Sequence, residues 1–449
     1  MRSSLRSCSR SQRRAPALSR AKLRRCRFWH LHRTSARPQV VPDSRSLLPV
    51  SRRCAPTRHF LRGLAATRRY IAAVRRIVID ARSVVAKKSG IGNYVESLVR
   101  HMVPLLHDER LLLLRHPQHR APLSTDPRVE ELVFPGETKS LSTVFRLGSK
   151  HSFAEYQLYH SPADLVPLGL RCPWVVTIHD LMWIEARELA SAFLPVRLAN
   201  GIWYELNISR AIRGARAVIA ISEATRSAIA RVFPEHVHKV TVIHHGLDAE
   251  RYAASAARPR SAIDAWVPAG VRYSLIVGQG SPYKNHAGML RAFIEATHSE
   301  PDHKLVLVRR FSRVDREMTR LLARADVQSK VISIPFVPDD VLLALYQHAH
   351  MLLFASHYEG FGLPALEAMA LGTPVLGSTA AAVREVTGDG ALHAVASDPS
   401  DLVQKIRELS RNDALRTQLR HAGLRRAREF SWPRCAAAHL EVYRTACNA

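Results

Sequence analysis

The sequence predicts an α/β protein in which two doubly wound, Rossmann-like sheets of mainly parallel strands face each other across a cleft. Three observations carry this prediction. From Arg76 onward, short apolar runs alternate with amphipathic stretches. The alternation comes in two separate series. Between them lies AASAARPRSAIDAWVPAG, rich in Ala, Arg and Pro and without a period, which reads as a connector.

In the first series, strands are expected at 77–80, 111–114, 158–160, 174–178, 217–221 and 240–243, each an apolar run too short to be a helix. After the first of these, a helix over 93–106 places Tyr94, Val95, Leu98, Val99, Met102 and Leu106 along one face. In the second series, strands are expected at 273–277, 304–308, 331–334, 350–355 and 374–376. The domains that follow are 77–255 and 273–428, joined by a linker over 256–272. Ligands of such sheets bind beyond the carboxyl ends of the strands, so function is sought in the loops that follow strands.

A chain of 449 residues has room for two or three domains, and 47% hydrophobic with 23% charged residues describes a globular protein, not a disordered or fibrous one. No apolar run approaches the roughly 18 residues of a membrane span. The cysteines Cys8, Cys26, Cys54, Cys172, Cys435 and Cys447 form no C-x-x-C pair, which argues against a disulfide framework or zinc ribbon and for a reducing compartment. The formal charge of +28 would suggest a nucleic-acid partner if it covered the folded part. It does not: residues 1–76 hold 21 Arg or Lys and one acid, a net of +20, and 77–449 carry only +8. The 1–76 segment has no sustained period and is expected to be disordered. It reads as a transit peptide, as a basic arm for nucleic acid or membrane, or as translated upstream sequence with the true start near Val74, the last being preferred.

Four loops carry candidate chemistry. Gly90 and Gly92 lie after the first strand and just before a helix, where backbone amides can approach an anion or sugar. Val95 stands where a dinucleotide fingerprint needs its third glycine, which argues against a nicotinamide or flavin site. His179 ends a strand and faces the cleft, able to donate a hydrogen bond to a sugar hydroxyl or buffer developing charge, with a structural histidine as the alternative. In HHGLD, His244 and His245 read as structural and Gly246 as a turn residue of positive φ. Lys284, in VGQGSPYKN, can meet a diphosphate as a point charge, with a surface lysine as the alternative. The strongest signal is HYEGFGLPALEAMALGTPV. There Glu359 and Glu367 bracket Gly360, Phe361, Gly362 and Leu363, Pro364 suits the first helical position, and the amides near Gly362 and Leu363 are free for phosphate. The two carboxylates read as grips on the two ends of one ligand, or as a helix-dipole partner and a surface charge.

Together, the Glu-x7-Glu phrase EGFGLPALEAMA, SGIGNY, TIHDL, AISEATR, HHGLD and the closing FSW resemble the family-4 retaining glycosyltransferases of the GT-B fold, over about 77–443. The resemblance implies a helix over 429–449 that crosses back to the first domain. It also implies that Glu367 accepts hydrogen bonds from the donor's ribose and that Glu359 holds hydroxyls of the transferred sugar. Lys284 and the amides of Gly360, Phe361, Gly362 and Leu363 would neutralise the leaving diphosphate. Gly90 and Gly92 would pass close to the donor phosphate or the acceptor, and His179 would stabilise oxocarbenium character. Retention would follow a front-face route in which the diphosphate helps to deprotonate the acceptor. No cofactor is implied, and the lack of an Asp-x-Asp motif agrees with metal-independent transfer.

SGIGNY, TIHDL and the YKN form of the lysine loop resemble the branch of bacterial mannosyl- and rhamnosyltransferases of surface polysaccharide assembly. GDP-mannose is therefore the first expected donor, ahead of dTDP- and UDP-sugars. The expected acceptor is a growing glycan, carried on a polyprenyl diphosphate. The expected location is cytoplasmic, peripheral on the inner membrane through a basic first-domain surface, with no specific nucleic-acid partner. One departure concerns Gln279, where many relatives place an arginine; Arg309 and Arg310, at the end of the next strand, are candidates to replace that charge. An epimerase or phosphorylase on the same fold is disfavoured. A basic nucleic-acid binder, should the tail be genuine, and an inactive sugar-nucleotide-binding homologue are the remaining alternatives.

Overall fold

The computed structural model describes residues 74–85, 89–191, 193–253, 258–309 and 316–448. The expectations for 1–73 and for Arg310 fall outside the described residues. The first sheet contains β1 (Arg75–Asp80), β2 (Glu109–Arg115), β3 (Val129–Val133), β4 (Leu158–Ser161), β5 (Trp174–Ile178), β6 (Ala217–Ala220) and β7 (Val240–Val242), in the order β3-β2-β1-β4-β5-β6-β7. The second contains β8 (Arg272–Val277), β9 (His303–Val308), β10 (Val331–Ile334), β11 (Met351–Phe354), β12 (Val375–Ser378) and β13 (Ala391–Ala394), in the order β10-β9-β8-β11-β12-β13. Every described pairing between these strands is parallel.

Parallel sheets are covered on both faces, which is why their strands read as near-continuous apolar runs. In β1, Ile77 and Ile79 enter one core while Val78, between them, enters another on the opposite face. In β9, Leu305 and Leu307 likewise part from Val306 and Val308. β3 and β13 were not expected. Both are edge strands, and VEELV and ALHA lack the unbroken apolar run of an inner strand.

Seven helices position the site: α1 (Gly90–Met102), α2 (Leu194–Gly214), α3 (Glu223–Val232), α4 (His286–Ala296), α5 (Leu363–Ala370), α6 (Ala381–Thr387) and α7 (Trp432–Asn448). α1 begins three residues before the expected helix because Ser89 caps it, accepting from the Gly92 amide at 3.2 Å. Gly90 and Gly92 therefore lie inside its first turn, not before it. It ends at Met102, and a 3₁₀ turn containing Pro104 follows.

The stretch expected as a linker is packed from Arg258 onward: Ile263 and Val267 are fully buried in the second domain's core beside Tyr273. α7 joins the first domain's core, where Trp432, Leu440 and Tyr443 pack with Tyr94 and Leu98 of α1. Its close approach also explains Gly246, which does not take positive φ. A side chain there would begin 2.1 Å from the Trp432 backbone nitrogen, so glycine is required by space and not by conformation.

Candidate active site

In a doubly wound sheet the strand order reverses at one point, and the loops leaving that point splay apart to make a crevice. In the second sheet this point lies between β8 and β11. The loop after β8 leaves through Gly278, at φ 149°, and makes a 3₁₀ turn over Pro282–Lys284. Asn285 follows in the left-handed region, its side-chain amide donating to the carbonyls of Ala355 at 3.1 Å and Ala396 at 2.9 Å. This tether fixes Lys284, whose Nζ donates to Glu359 Oε1 at 2.7 Å and Oε2 at 2.9 Å. Only 14% of the lysine side chain and 8% of the glutamate remain exposed. Burial pulls the Lys284 pKa down, but the charge and hydrogen bonds of Glu359 together with Tyr283 and Asp180 outweigh it and the net direction is up, so the ammonium stays charged.

The loop after β11 carries Glu359 to Gly362. At Gly360 a side chain would begin 2.0 Å from the His179 carbonyl oxygen, so only glycine lets the second domain's loop lie against the first domain's strand end. Ser222 Oγ, at the start of α3, donates to the Gly360 carbonyl at 2.8 Å. Phe361 sets its ring edge-on to His245, 4.9 Å between centroids. Gly362, at φ 115°, turns the chain into α5, whose first amides have no intrahelical acceptor. Pro364 is the second helical residue, one place later than expected.

Glu367 lies one turn into α5. Its two carboxylate oxygens accept from Tyr252 at 2.9 Å and Tyr346 at 3.0 Å. Burial raises its pKa while the two hydroxyls oppose that shift. Glu359 and Glu367 thus hold different partners, one a cation and the other a pair of phenols.

In the first domain, Asp164 Oδ1 accepts the His179 amide at 2.7 Å and the same carboxylate pairs with Lys139. The ring's Nε2 lies 2.8 Å from the Pro162 carbonyl oxygen, which can only accept. Nε2 therefore carries the proton, and a neutral His179 offers Nδ1 as an acceptor. Of the two expected roles, donating to a sugar hydroxyl or buffering developing charge, donation from Nε2 is already taken by Pro162. Tyr94 of α1 stands edge-on to His179 at 5.3 Å.

Gly90 and Gly92 make no described hydrogen bond to the second domain; a Gly90 side chain would meet open space, and the Gly92 amide is taken by Ser89. Gln279 is exposed, its amide 3.3 Å from the Tyr283 hydroxyl. Arg309 is buried beneath the same loop, so close that a side chain at Gly280 would begin 1.8 Å from its guanidinium.

Sequence reading missed several partners. Glu385 of α6 accepts from the Glu223 and Ala224 amides at 2.7 and 2.9 Å and contacts His244 Nε2 at 2.7 Å, so one carboxylate of the second domain grips two elements of the first. AISEATR entered the sequence reading only as a phrase of the family resemblance, and nothing in VREVT marks Glu385. Tyr252 and Tyr346 are 115 and 21 residues from Glu367, out of range of any local pattern.

Two family profiles match the chain: "Glycosyltransferase Family 4" over residues 88–251 and "Glycosyl transferases group 1" over residues 266–426. O-antigen chain mannosyltransferase B of Escherichia coli is 27% identical over 288 residues, 64% of this chain and 74% of that one. MMP alpha-(1->4)-mannosyltransferase of Mycolicibacterium hassiacum is 31% identical over 282 residues, 61% of this chain and 66% of that one. D-inositol 3-phosphate glycosyltransferase of Streptomyces bingchenggensis is 26% identical over 286 residues, 61% of each chain. The match thus spans between 61% and 74% of these relatives' own length. Among solved structures, sucrose-phosphate synthase from Thermosynechococcus elongatus superposes with a TM-score of 0.63 at 18% identity, covering 83% of this chain and 98% of that one. The Anabaena protein HepE, solved with UDP and glucose, gives 0.61 at 18% identity, covering 83% and 100%. At such identities the likeness is one of fold: two Rossmann-like sheets with their strand ends facing.

Proposed function

The chain belongs to the family-4 glycosyltransferases of the GT-B fold, and from that premise we propose that it moves a hexose from a nucleotide diphosphate sugar to a glycan or lipid-linked acceptor, with retention and without a metal. The observation that carries the reading is the buried Lys284–Glu359 pair at the switch point of the second sheet, beside the open start of α5. The mannosyltransferases among the relatives make GDP-mannose the donor to try first. The O-antigen enzyme among them supports a setting in surface polysaccharide assembly.

In this reading the donor diphosphate takes Lys284 from Glu359. Lys284 and the amides of Gly360 to Leu363 then hold the leaving group, where negative charge grows as the anomeric carbon–oxygen bond breaks. Arg309, packed under Gly280, supplies positive charge that Gln279 does not. Glu359, released, accepts from hydroxyls of the sugar, and Glu367 accepts from the ribose. His179 Nδ1 lends a lone pair to the positive charge developing on the ring. The acceptor oxygen bonds to the anomeric carbon on the face the diphosphate leaves, and the diphosphate takes the acceptor's proton.

Calorimetric titration with GDP, UDP and dTDP tests the site, with Lys284→Ala in parallel and no metal added. Micromolar binding of GDP that the variant loses supports the reading, and preference for another base moves the donor assignment to it. Absence of binding by any of the three overturns it. With a donor established, NMR of the product's anomeric proton decides retention.

A further inference from the structure

α2 is apolar on two sides. Its inner face buries Ile208, Ala211 and Ile212 in the first domain's core. On its outer face Leu194, Leu198, Ile202 and Leu206 recur every four residues, and each is 50–66% exposed. Twelve residues of helix put this row over about 18 Å. The row is also widened by a second element: Phe145, 56% exposed, sets its ring tilted against Trp203 of α2, 6.4 Å between centroids, and Leu141 beside it is 63% exposed. Single exposed leucines are unremarkable, but a contiguous patch marks a contact surface.

The charges around the row select the partner. Arg146 adjoins Phe145, Arg197 lies within the row, and Arg213 falls two turns past Leu206 on the same face. Among the described residues none of the three pairs with a carboxylate, whereas Glu205, the acid inside the row, is already held by Arg187 at 2.6 Å. A second copy seated on this face by two-fold symmetry would set the same arginines against each other. An anionic, fluid, apolar surface meets both features at once. Aromatic rings at the edge of an aliphatic face, with Arg on its flanks, are also what interfacial helices present to lipid.

We propose that the outer face of α2, with Leu141 and Phe145, docks this protein on the surface of a bilayer carrying anionic headgroups, lying in the interface and not crossing it. No helix of the described residues is long and apolar enough to cross a membrane. The docking face also adjoins the site. The ring of Tyr204 on α2 lies 5.6 Å from the Lys139 ammonium, Lys139 pairs with Asp164, and Asp164 accepts the His179 amide. Docking there brings the cleft close to where a lipid-linked acceptor resides. The inference deepens the acceptor reading above and rests on it for its purpose alone, since vesicle binding and nucleotide binding are read separately.

The test is sedimentation of the full chain with vesicles of phosphatidylglycerol and phosphatidylcholine, for the wild type and for Leu198→Gln/Ile202→Gln. Glutamine is neutral and a good helix former, so the double variant removes apolar surface without adding charge. At 0.5 M salt, charge attraction, including that of the Arg-rich 1–76 segment, is screened to within a few Å. The wild type should stay bound there and the variant should lose at least tenfold in partitioning. GDP titration of the variant should match the wild type, which separates this surface from the donor site. Equal partitioning of the two proteins, or no binding by the wild type at 0.5 M salt, overturns the proposal. So does light scattering that shows a wild-type dimer converted by the variant to a monomer, because a second copy then covers the row.

Discussion

An ammonium and a carboxylate that are both mostly shielded from water depend on each other, and breaking such a pair from one side leaves an uncompensated charge. Lys284 and Glu359 are in that position, 2.7 Å apart. In the proposed cycle a diphosphate competes with Glu359 for the lysine. Glu359→Gln removes the competitor's charge but keeps its shape and its ability to meet sugar hydroxyls. It should bind GDP about three- to tenfold more tightly, a gain of roughly 1 kcal/mol, while kcat for the full donor falls. Lys284→Ala should lose GDP binding by about 10- to 100-fold, as expected for one charge-assisted hydrogen bond of roughly 1.5–3 kcal/mol. Titration calorimetry of the two variants decides it: if Glu359→Gln binds GDP more weakly, the glutamate helps the diphosphate and does not compete for its cation. At this scale the sequence was legible where chemistry sits in one continuous phrase. Glu359, the glycines and Glu367 were found by spacing, and Lys284 by its place after a strand. Their partners Tyr252 and Tyr346, and the occupied Nε2 of His179, exist only once distant loops are brought together.

The start of α3 joins the two domains. Ser222 Oγ accepts from the Thr225 amide at 3.0 Å and donates to Gly360 at 2.8 Å, so one hydroxyl caps a helix and steadies the phosphate-side loop. Ser222→Ala should cost about 1 kcal/mol of stability, the usual size of a lost cap. It should also raise the donor KM several-fold with little change in kcat, because the Glu359–Gly362 loop loses its tie to the first domain. A drop in thermal stability with unchanged KM would make the serine a cap and nothing more. Glu385 grips the same helix start. Burial alone would raise its pKa, but the His244 hydrogen bond and the Glu223 and Ala224 amides hold it below the usual carboxylate range. A carboxyl depressed in the folded state adds stability above its unfolded pKa and loses it as pH falls through the folded one. Glu385→Gln should therefore weaken the folded protein by about 1.5–3 kcal/mol at pH 7 and progressively less toward pH 4, which urea melts at a series of pH values will show. Elements were legible where burial on both faces writes an apolar run, as in β1, β5 and β9. The edge strands β3 and β13 write no such run, and the start of α1 is set by Ser89 ahead of the apolar period.

Among the described residues, five histidines are buried: His160, His245, His286, His303 and His439. Burial lowers the pKa of each, to about 3 for His286 and about 4 for His303 and His439, and well below the ordinary value for His160 and His245. Each is neutral when folded at pH 7 and takes a proton on unfolding once pH drops below about 6.5. A base with a depressed folded pKa contributes stability in full above its unfolded pKa and loses it as pH falls toward the folded value, at about 1.4 kcal/mol per pH unit per histidine. Asp180 and Glu367, whose pKa values are raised by burial, titrate with the opposite sign, so the net slope is less than the sum of five. Stability should therefore fall steeply from pH 6.5 to 4.5, before most carboxylates protonate. The steepness has a location. His439 of α7 contacts the Tyr94 hydroxyl at 2.8 Å, and Tyr443 contacts His160 at 2.6 Å, so protonation strikes the seam where the returning helix meets α1 and β4. His439→Gln should lower stability at pH 7 yet flatten the pH profile by about one proton, roughly 1.4 kcal/mol per pH unit, in urea melts between pH 6.5 and 4.5. An unchanged slope would mean that α7 has already left the first domain before the rest unfolds, and that the acid response of the molecule begins with the loss of that one helix.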